Sequence, residues 1–397
     1  MSSFGGRTRL DGIEQMRGLA ALGVVVAHVV DSVTKLGARV DGLFLPSVPA
    51  ANDFGACGVD LFFVISGFVM TYSISQGPPI SATRFAWNRF KRIVPAFWMA
   101  SIGYALLLLS YGEPIDPRTF LTTASIVPLA DQGEYVFPTL YVGWTLAFEL
   151  CFYLLVAIVV ATGRRSVSLG ILSLVAATAL LGIMWRPSAI TVRFLVNPIY
   201  LEFACGIVGY LLFVRGFHGV RARCALICLV ACFLAAITML PIDLGVSLHP
   251  VAIIGGDASL KRALMFGPAF TLLLLGSIEP ARRAGRIGRF LLIIGRASYS
   301  VYLTHAFVML GAEHAWFGAW RPNVYWVVAV LVMSSTTLGV VVHRYVERPL
   351  LDLLGRSRSV DRRGIAMASR SGDPSQVAAR SSVTVGDQSL PSHRCSI

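Results

Sequence analysis

The sequence predicts an all-α fold: a polytopic integral membrane protein with about ten transmembrane helices. Three observations carry this expectation. Of the 397 residues, 55% are hydrophobic and only 14% are charged, against about 25% charged in a typical soluble domain. Mean hydropathy is +0.70, so too few polar groups are present to cover a soluble globule, and a soluble enzyme is excluded. Apolar stretches of roughly 18–22 residues recur along the chain, each long enough to cross a bilayer as a helix.

The first stretch, 13–33, follows a basic start (Arg7, Arg9, Arg17) without a small-residue cleavage site, which makes it a signal anchor rather than a cleaved leader. The second is 56–76, and the third, 94–111, follows the basic run Arg84, Arg89, Lys91 and Arg92. A connecting segment, 112–139, carries Glu113, Asp116, Asp131 and Glu134 and leads into the fourth stretch, 140–162. Arg164 and Arg165 separate this from 167–185, after which come 196–214, 222–241, 263–279, 290–312 and 324–345. Residues 1–350 thus form one transmembrane domain. From about Arg356 to Ile397 the chain turns to Ser, Arg and Gly with few aromatics, so 351–397 reads as a disordered cytoplasmic tail.

Net charge is +13, which in a soluble protein would suggest a nucleic-acid partner. Here the basic residues alternate with the spans: with a cytoplasmic N-terminus, 22 Lys and Arg fall in inside segments and 8 in outside ones. This is the positive-inside pattern, and it predicts an even number of spans in the inner (plasma) membrane with both termini cytoplasmic. Seven Cys include no CxxC pair. Cys224, Cys228 and Cys232 share one helix face, but no His, Asp or Glu accompanies them, so they read as small packing residues and not as a metal site. A metal-independent reaction is expected.

In such a chain the informative residues are the ionisable ones inside the spans, because each costs several kcal/mol unless paired or hydrated. Arg17 and His28 are eleven residues apart, about 1,100° of helical rotation, or roughly 20° past three turns. They therefore project from one face, about 16 Å apart along the axis, with Arg17 at the cytoplasmic rim and His28 near mid-membrane. For an isolated pair, an anchoring Arg and a satisfied core His would explain as much. Gly18 and Ala21 on this face are small enough to leave room for a ligand. A basic rim leading to an imidazole suits a long substrate with an anionic head and a reactive tip, the shape of acyl-coenzyme A. Arg89 and Arg92 are further phosphate contacts, although topology alone would also account for them.

Asp60 stands near the outer start of the second span, where the helix dipole favours an acid whether or not it has a function. Glu149 lies roughly 13 Å into the fourth span, with Tyr153 at i+4 on its face; the structural alternative is an ion pair with Arg296. His305 is nine residues, about 900°, beyond Arg296, so their faces oppose each other and one of the two is expected to be structural. Glu347 should pair with a loop Arg at the inner surface.

Taken together, five segments over roughly residues 10–350 resemble the membrane-bound acyltransferase 3 family, and within it the exopolysaccharide and O-antigen O-acetyltransferases. Arg17-Gly18-Leu19-Ala20-Ala21-Leu22 followed by His28 is similar to the family's arginine, ten residues, histidine motif. Gly58 to Phe68 is similar to its second-helix signature, and Phe90-Lys91-Arg92-Ile93-Val94-Pro95 to its basic cytoplasmic loop. Trp144-Thr145-Leu146 with Glu149 and Tyr153 is similar to W-S-L-x-x-E, with Thr145 for the usual Ser. Gly295-Arg296-Ala297-Ser298-Tyr299-Ser300-Val301-Tyr302-Leu303-Thr304-His305 is similar to G-x-x-S-Y-S-x-Y-L-x-H. Glu14-Gln15-Met16 departs from the common Asp-Gly-Leu, and some members carry an extracytoplasmic esterase-like domain where this chain has a short tail.

The resemblance implies O-acylation, usually O-acetylation, of a sugar hydroxyl on a cell-surface or exported polysaccharide or lipid-linked glycan. The co-substrate would be cytoplasmic acetyl-coenzyme A, with no tightly bound cofactor, and the protein would act alone or with a separate polysaccharide-assembly partner. The expected roles are His28, Glu149 and Asp60 in catalysis, with His28 as general base or acyl carrier; Arg17, Arg89 and Arg92 on the coenzyme phosphates; and Trp144, Tyr153, Arg296 and His305 on the substrate. The rival reading is a proton-coupled transporter or flippase using Asp60, Glu149, His28 and His305. It predicts paired halves, and no repeat relates 1–170 to 200–350. A scaffold subunit, in which polar residues only glue helices, is the third class.

Overall fold

The computed structural model describes residues 11–37, 57–126, 129–131, 134–163, 166–239, 250–278, 285–314 and 323–354. The predicted tail lies outside the described residues beyond 354. The chain runs through α1 (Asp11–Gly37), α2 (Gly58–Gln76), α3 (Ala82–Ser110) and α4 (Pro117–Ser125), a hairpin of β1 (Leu129–Asp131) and β2 (Glu134–Val136), then α5 (Trp144–Ala161), α6 (Val167–Met184), α7 (Ile190–Leu195), α8 (Tyr200–Val214) and α9 (Val220–Met239). There follow α10 (Pro250–Ile254), α11 (Ser259–Ser277), α12 (Arg286–Arg296), α13 (Ser298–Glu313) and α14 (Val324–Val342), the last leading into a π-turn, His343–Glu347. The hairpin is antiparallel, with Leu129 opposite Val136.

Among the described residues eight helices are long and apolar enough to cross a membrane, nine if the bent pair α12–α13 is one span. The protein is a multi-pass, all-α membrane protein. The stretch predicted at 222–241 is the helix α9 as far as Met239; it is not one of those nine, and residues 240 and 241 lie outside the described ones. Its cysteines are a correction: Cys224, Cys228 and Cys232 are exposed, not packed inside.

Two further corrections matter for the site. The basic run before the third span is no loop. Ser81 caps α3 by accepting a hydrogen bond from the Arg84 amide at 3.4 Å, and the helix continues without interruption past Arg89, Arg92 and Pro95. The segment predicted as the single span 290–312 instead bends by 79° between α12 and α13, so periodicity does not carry from Arg296 to His305.

The small residues on α1 let helices meet and do not leave room for a ligand. A methyl group on Gly18 would lie 2.3 Å from the Leu291 carbonyl oxygen of α12, and one on Gly295 would lie 1.8 Å from that of Glu14. Ala21 is buried in the same seam with Val25 and Ile294. Between apolar helices, where lipid supplies no hydrophobic drive, such close backbone approach is what favours association. Gly295→Val is therefore expected to destabilise the protein by at least the 1–3 kcal/mol typical of overpacking, read as a lowered thermal midpoint in detergent; an unchanged midpoint would show that α12 is not seated on α1.

Candidate active site

α1, α2, α3, α5 and α13 enclose a cavity of about 210 Å³. One end is charged, with Glu14 and Arg17 from the first turns of α1 and Arg89 and Arg92 from α3; Glu149 and Tyr153 of α5 stand beside them. The uninterrupted N-terminal turns of α3 are what bring Arg89 and Arg92 to it. Arg17 lies 3.7 Å from Glu14. The Glu149 carboxylate accepts hydrogen bonds from Ser66 Oγ at 3.0 Å and from the Tyr153 hydroxyl; its partner is not Arg296. The Arg89 guanidinium lies 5.5 Å from the centre of the Phe85 ring and 5.8 Å from that of Tyr153, and its Nε is buried without a hydrogen-bond partner. Among the described residues neither Arg89 nor Arg92 has a carboxylate within ion-pair distance, so three guanidinium groups and two carboxylates leave this end cationic and able to hold an anion.

The other end is neutral. Tyr302 and Thr145 hydrogen-bond to each other at 2.7 Å, and the Tyr302 hydroxyl also donates to the Val142 carbonyl at 2.8 Å. Tyr299 hydrogen-bonds the Ile93 carbonyl at 2.7 Å, beside Pro95, which ties α13 to α3. His28 does not line this cavity, contrary to the expectation that it shares one with Arg17. It lies beyond Tyr302, its ring centre 5.0 Å from that of His305 and its Nδ1 3.4 Å from the Tyr141 hydroxyl. His305 in turn lies 5.9 Å from Tyr302, ring to ring, and its Nε2 is buried with no partner. Two imidazoles thus face each other one helical turn past the neutral end of an arginine-lined cavity.

An arginine end able to hold an anion, an acid beside it and a histidine pair able to take a proton are the chemistry the arrangement offers, and comparison with known proteins gives the class of reaction. The acyltransferase domain family matches residues 10–345. The chain belongs to this family. It is 30% identical to the exopolysaccharide production protein ExoZ of Rhizobium meliloti, over 77% of this chain and 92% of that protein. It is 25% identical to the acyltransferase MdmB of Streptomyces mycarofaciens, over 89% of this chain and 94% of that protein. No solved structure matches. The protein is a membrane acyltransferase.

Within this acyltransferase three residues expected at the site stand elsewhere. Asp60 is fully buried and held by Arg262, whose Nε donates to Oδ1 at 3.1 Å while a second guanidinium nitrogen donates to Oδ2. Glu202 of α8 is buried beside this pair. Arg262 lies in the first turn of α11, where Asp60 neutralises it. Trp144 packs into the aromatic core, 6.1 Å from Phe148 ring to ring, and does not line the cavity. Arg296, last residue of α12, is exposed. Neither Asp60 nor Glu149 touches His28, so the expected base-and-carboxylate pair is replaced by His28 with Tyr141 and His305. Glu347, too, has a different partner: His343 at 2.8 Å, with Ser300 donating to the same oxygen.

Sequence reasoning passed over Tyr141, Tyr299 and Ser66, which carry no charge and so raise no alarm in an apolar span. Glu202 was legible, since an acid inside the stretch 196–214 is as anomalous as Glu149.

Proposed function

We propose that the protein transfers an acyl group, acetyl in the simplest case, from cytoplasmic acyl-coenzyme A to a sugar hydroxyl of an exported polysaccharide or lipid-linked glycan. The observation that supports this most directly is the cavity's polarity: Arg17, Arg89 and Arg92 at one end, and the His28–His305 pair past Tyr302 at the other. At about 210 Å³ it is smaller than the roughly 300–1,000 Å³ of a site that encloses a drug-sized ligand. It suits a thin arm, with the nucleotide and its phosphates at the arginine rim. The name of ExoZ, a protein of exopolysaccharide production, supports a polysaccharide acceptor.

In the reaction the acceptor oxygen attacks the thioester carbonyl carbon while its proton passes to a His28 nitrogen. The C–S bond then breaks, and the leaving thiolate takes a proton back. Attack by the His28 nitrogen itself, giving acyl-His28 that the acceptor then opens, balances equally. Acyl label found on His28 after a quenched single turnover reports the relay, and its absence reports direct transfer. Charge-assisted contacts are worth about 1.5–3 kcal/mol each, so Arg17→Ala and Arg89→Ala should each raise the KM for acetyl-coenzyme A about 10- to 100-fold, with a smaller effect on kcat. If folded protein in detergent neither binds nor consumes acyl-coenzyme A, the donor assignment fails and proton-coupled transport becomes the reading to test. On this reading the N-terminal end of α1, with Arg17, faces the cytoplasm across the inner membrane, as the positive-inside pattern supports.

A further inference from the structure

The bend after Arg296 sets α12 apart from the crossing helices. α13 runs in the same sense as α1, with His28 beside His305 and Ser32 Oγ donating to the Glu313 carboxylate at 3.2 Å. A 79° bend turns α12 almost at right angles to it. The contacts of α12 agree. The Gln15 side chain donates to the Gly288 carbonyl at 3.5 Å, Gly18 lies against the Leu291 carbonyl, and Gly295 lies against that of Glu14. About 10 Å of α12, from Gly288 to Gly295, thus meets little more than one turn of α1. α12 lies across the end of α1, near the plane of the membrane surface that carries Arg17. We infer that α12 is a docking surface for anionic phospholipid on that face, a role that does not depend on which group the site transfers.

The sequence of α12 divides its surface into three sides. Gly288, Leu291 and Gly295 face α1. Ile287, Phe290 and Ile293 share another arc, of about 120° at 100° per residue, and all three are exposed. Arg289 and Arg296 stand about 20° apart on the third side, with Arg286 in the first turn, and each is exposed. Among the described residues none of these three arginines is paired with a carboxylate. A helix of this pattern lying in the interface buries its apolar side at the headgroup boundary and turns its cations to anionic lipid. The planar guanidinium fork matches a headgroup phosphate. A soluble anion would answer the arginines and leave Ile287, Phe290 and Ile293 in water, whereas a phospholipid answers both sides.

The same helix is joined to the candidate active site. The turn of α1 that it crosses carries Glu14 and Arg17, and Ala297 leads from it directly into Ser298 and Tyr299; all four of these residues except Ala297's own link line the cavity. Lipid held on α12 therefore steadies two walls of the cavity's charged end.

The test is titration of the detergent-solubilised full chain with fluorescently labelled phosphatidylglycerol, the thermal midpoint being read in parallel. Wild type should bind this lipid at least about tenfold more tightly than labelled phosphatidylcholine and should gain thermal midpoint on binding. Arg289→Gln with Arg296→Gln, both at exposed positions, should weaken phosphatidylglycerol binding at least about tenfold, since each cation near an anionic surface adds to the attraction, and should abolish the rise in midpoint. Phe290→Ser with Ile293→Ser should weaken binding as well. The control is Arg215→Gln with Arg221→Gln, an equal loss of charge on the same membrane face. These two exposed residues flank the turn whose Gly219 amide donates to the Leu275 carbonyl, at the end of α11 that abuts Gly12 of α1, and the control should bind as wild type does. Unchanged affinity in the α12 variants overturns the inference. Equal weakening in the control also overturns it, by showing attraction to a generally basic face. Displacement of the lipid by glycerol 3-phosphate at the concentrations at which phosphatidylglycerol displaces it would mark a site for soluble phosphate, and overturns it too.

Discussion

His28→Ala is expected to lower acyl transfer by about 10²–10⁴-fold, the usual contribution of a positioned proton acceptor, with little change in donor affinity. The split between kcat and KM is the informative readout. Arg17 and Arg89 contact the cavity that would take the donor's arm, whereas His28 lies past Tyr302 and outside it. A residue in that position should act on the reacting groups and not on the carrier. Transfer to the natural acceptor and hydrolysis of acetyl-coenzyme A should fall together, since both need a proton removed from the attacking oxygen. His28 is only half-buried and its partner is a hydroxyl at 3.4 Å, so its truncation leaves no uncompensated charge, and the variant should fold with a normal elution profile. A folded His28→Ala protein with wild-type turnover would remove His28 from the mechanism.

Arg262→Ala is expected to cost about 3–5 kcal/mol of stability, the penalty for removing one partner of a buried ion pair. Asp60 is fully buried, and truncating Arg262 strands its carboxylate beside Glu202 in an apolar interior joining α2, α8 and α11. Replacing both members, Asp60→Leu with Arg262→Met, should cost much less than Arg262→Ala alone, because a buried pair exchanged for apolar residues of similar size is often neutral. Thermal unfolding in detergent measures both. The same double variant separates two roles for Asp60: if it is structural, the variant keeps transfer activity; if it is catalytic, the folded variant is dead.

These cases show which parts of the site were readable along the chain. Arg17, Arg89 and Arg92 were picked out as cations at one rim, and the structure brings all three to one cavity. The reason is local: Arg17 sits on the N-terminal turns of α1 as helical periodicity requires, and Ser81 starts α3 early enough to carry Arg89 and Arg92 with it. Asp60 was anomalous in sequence, but its partner is 202 residues away, and nothing in the local pattern points to Arg262. His28 and His305 were each singled out without any sign that they meet; that contact needs α1 seated on α13, which a chain read in one dimension does not contain.

Composition and span length determined by themselves that this is a multi-pass helical membrane protein, because lipid tolerates few backbone arrangements and penalises every unpaired charge; the acyltransferase type was legible only through the resemblance of the five ordered motifs to a known family. Tertiary structure alone decided which charges are spent on one another and which are left facing a cavity. Asp60 and Arg262 cancel, Glu149 turns to Ser66 and Tyr153, and the 79° bend after Arg296 puts that residue on the surface while His305 stays inside. Side-chain pairing across helices depends on crossing geometry, and that geometry rests on close contacts such as Gly18 with Leu291, where a glycine in the sequence reads equally as space for a ligand or as a seat for a neighbouring helix.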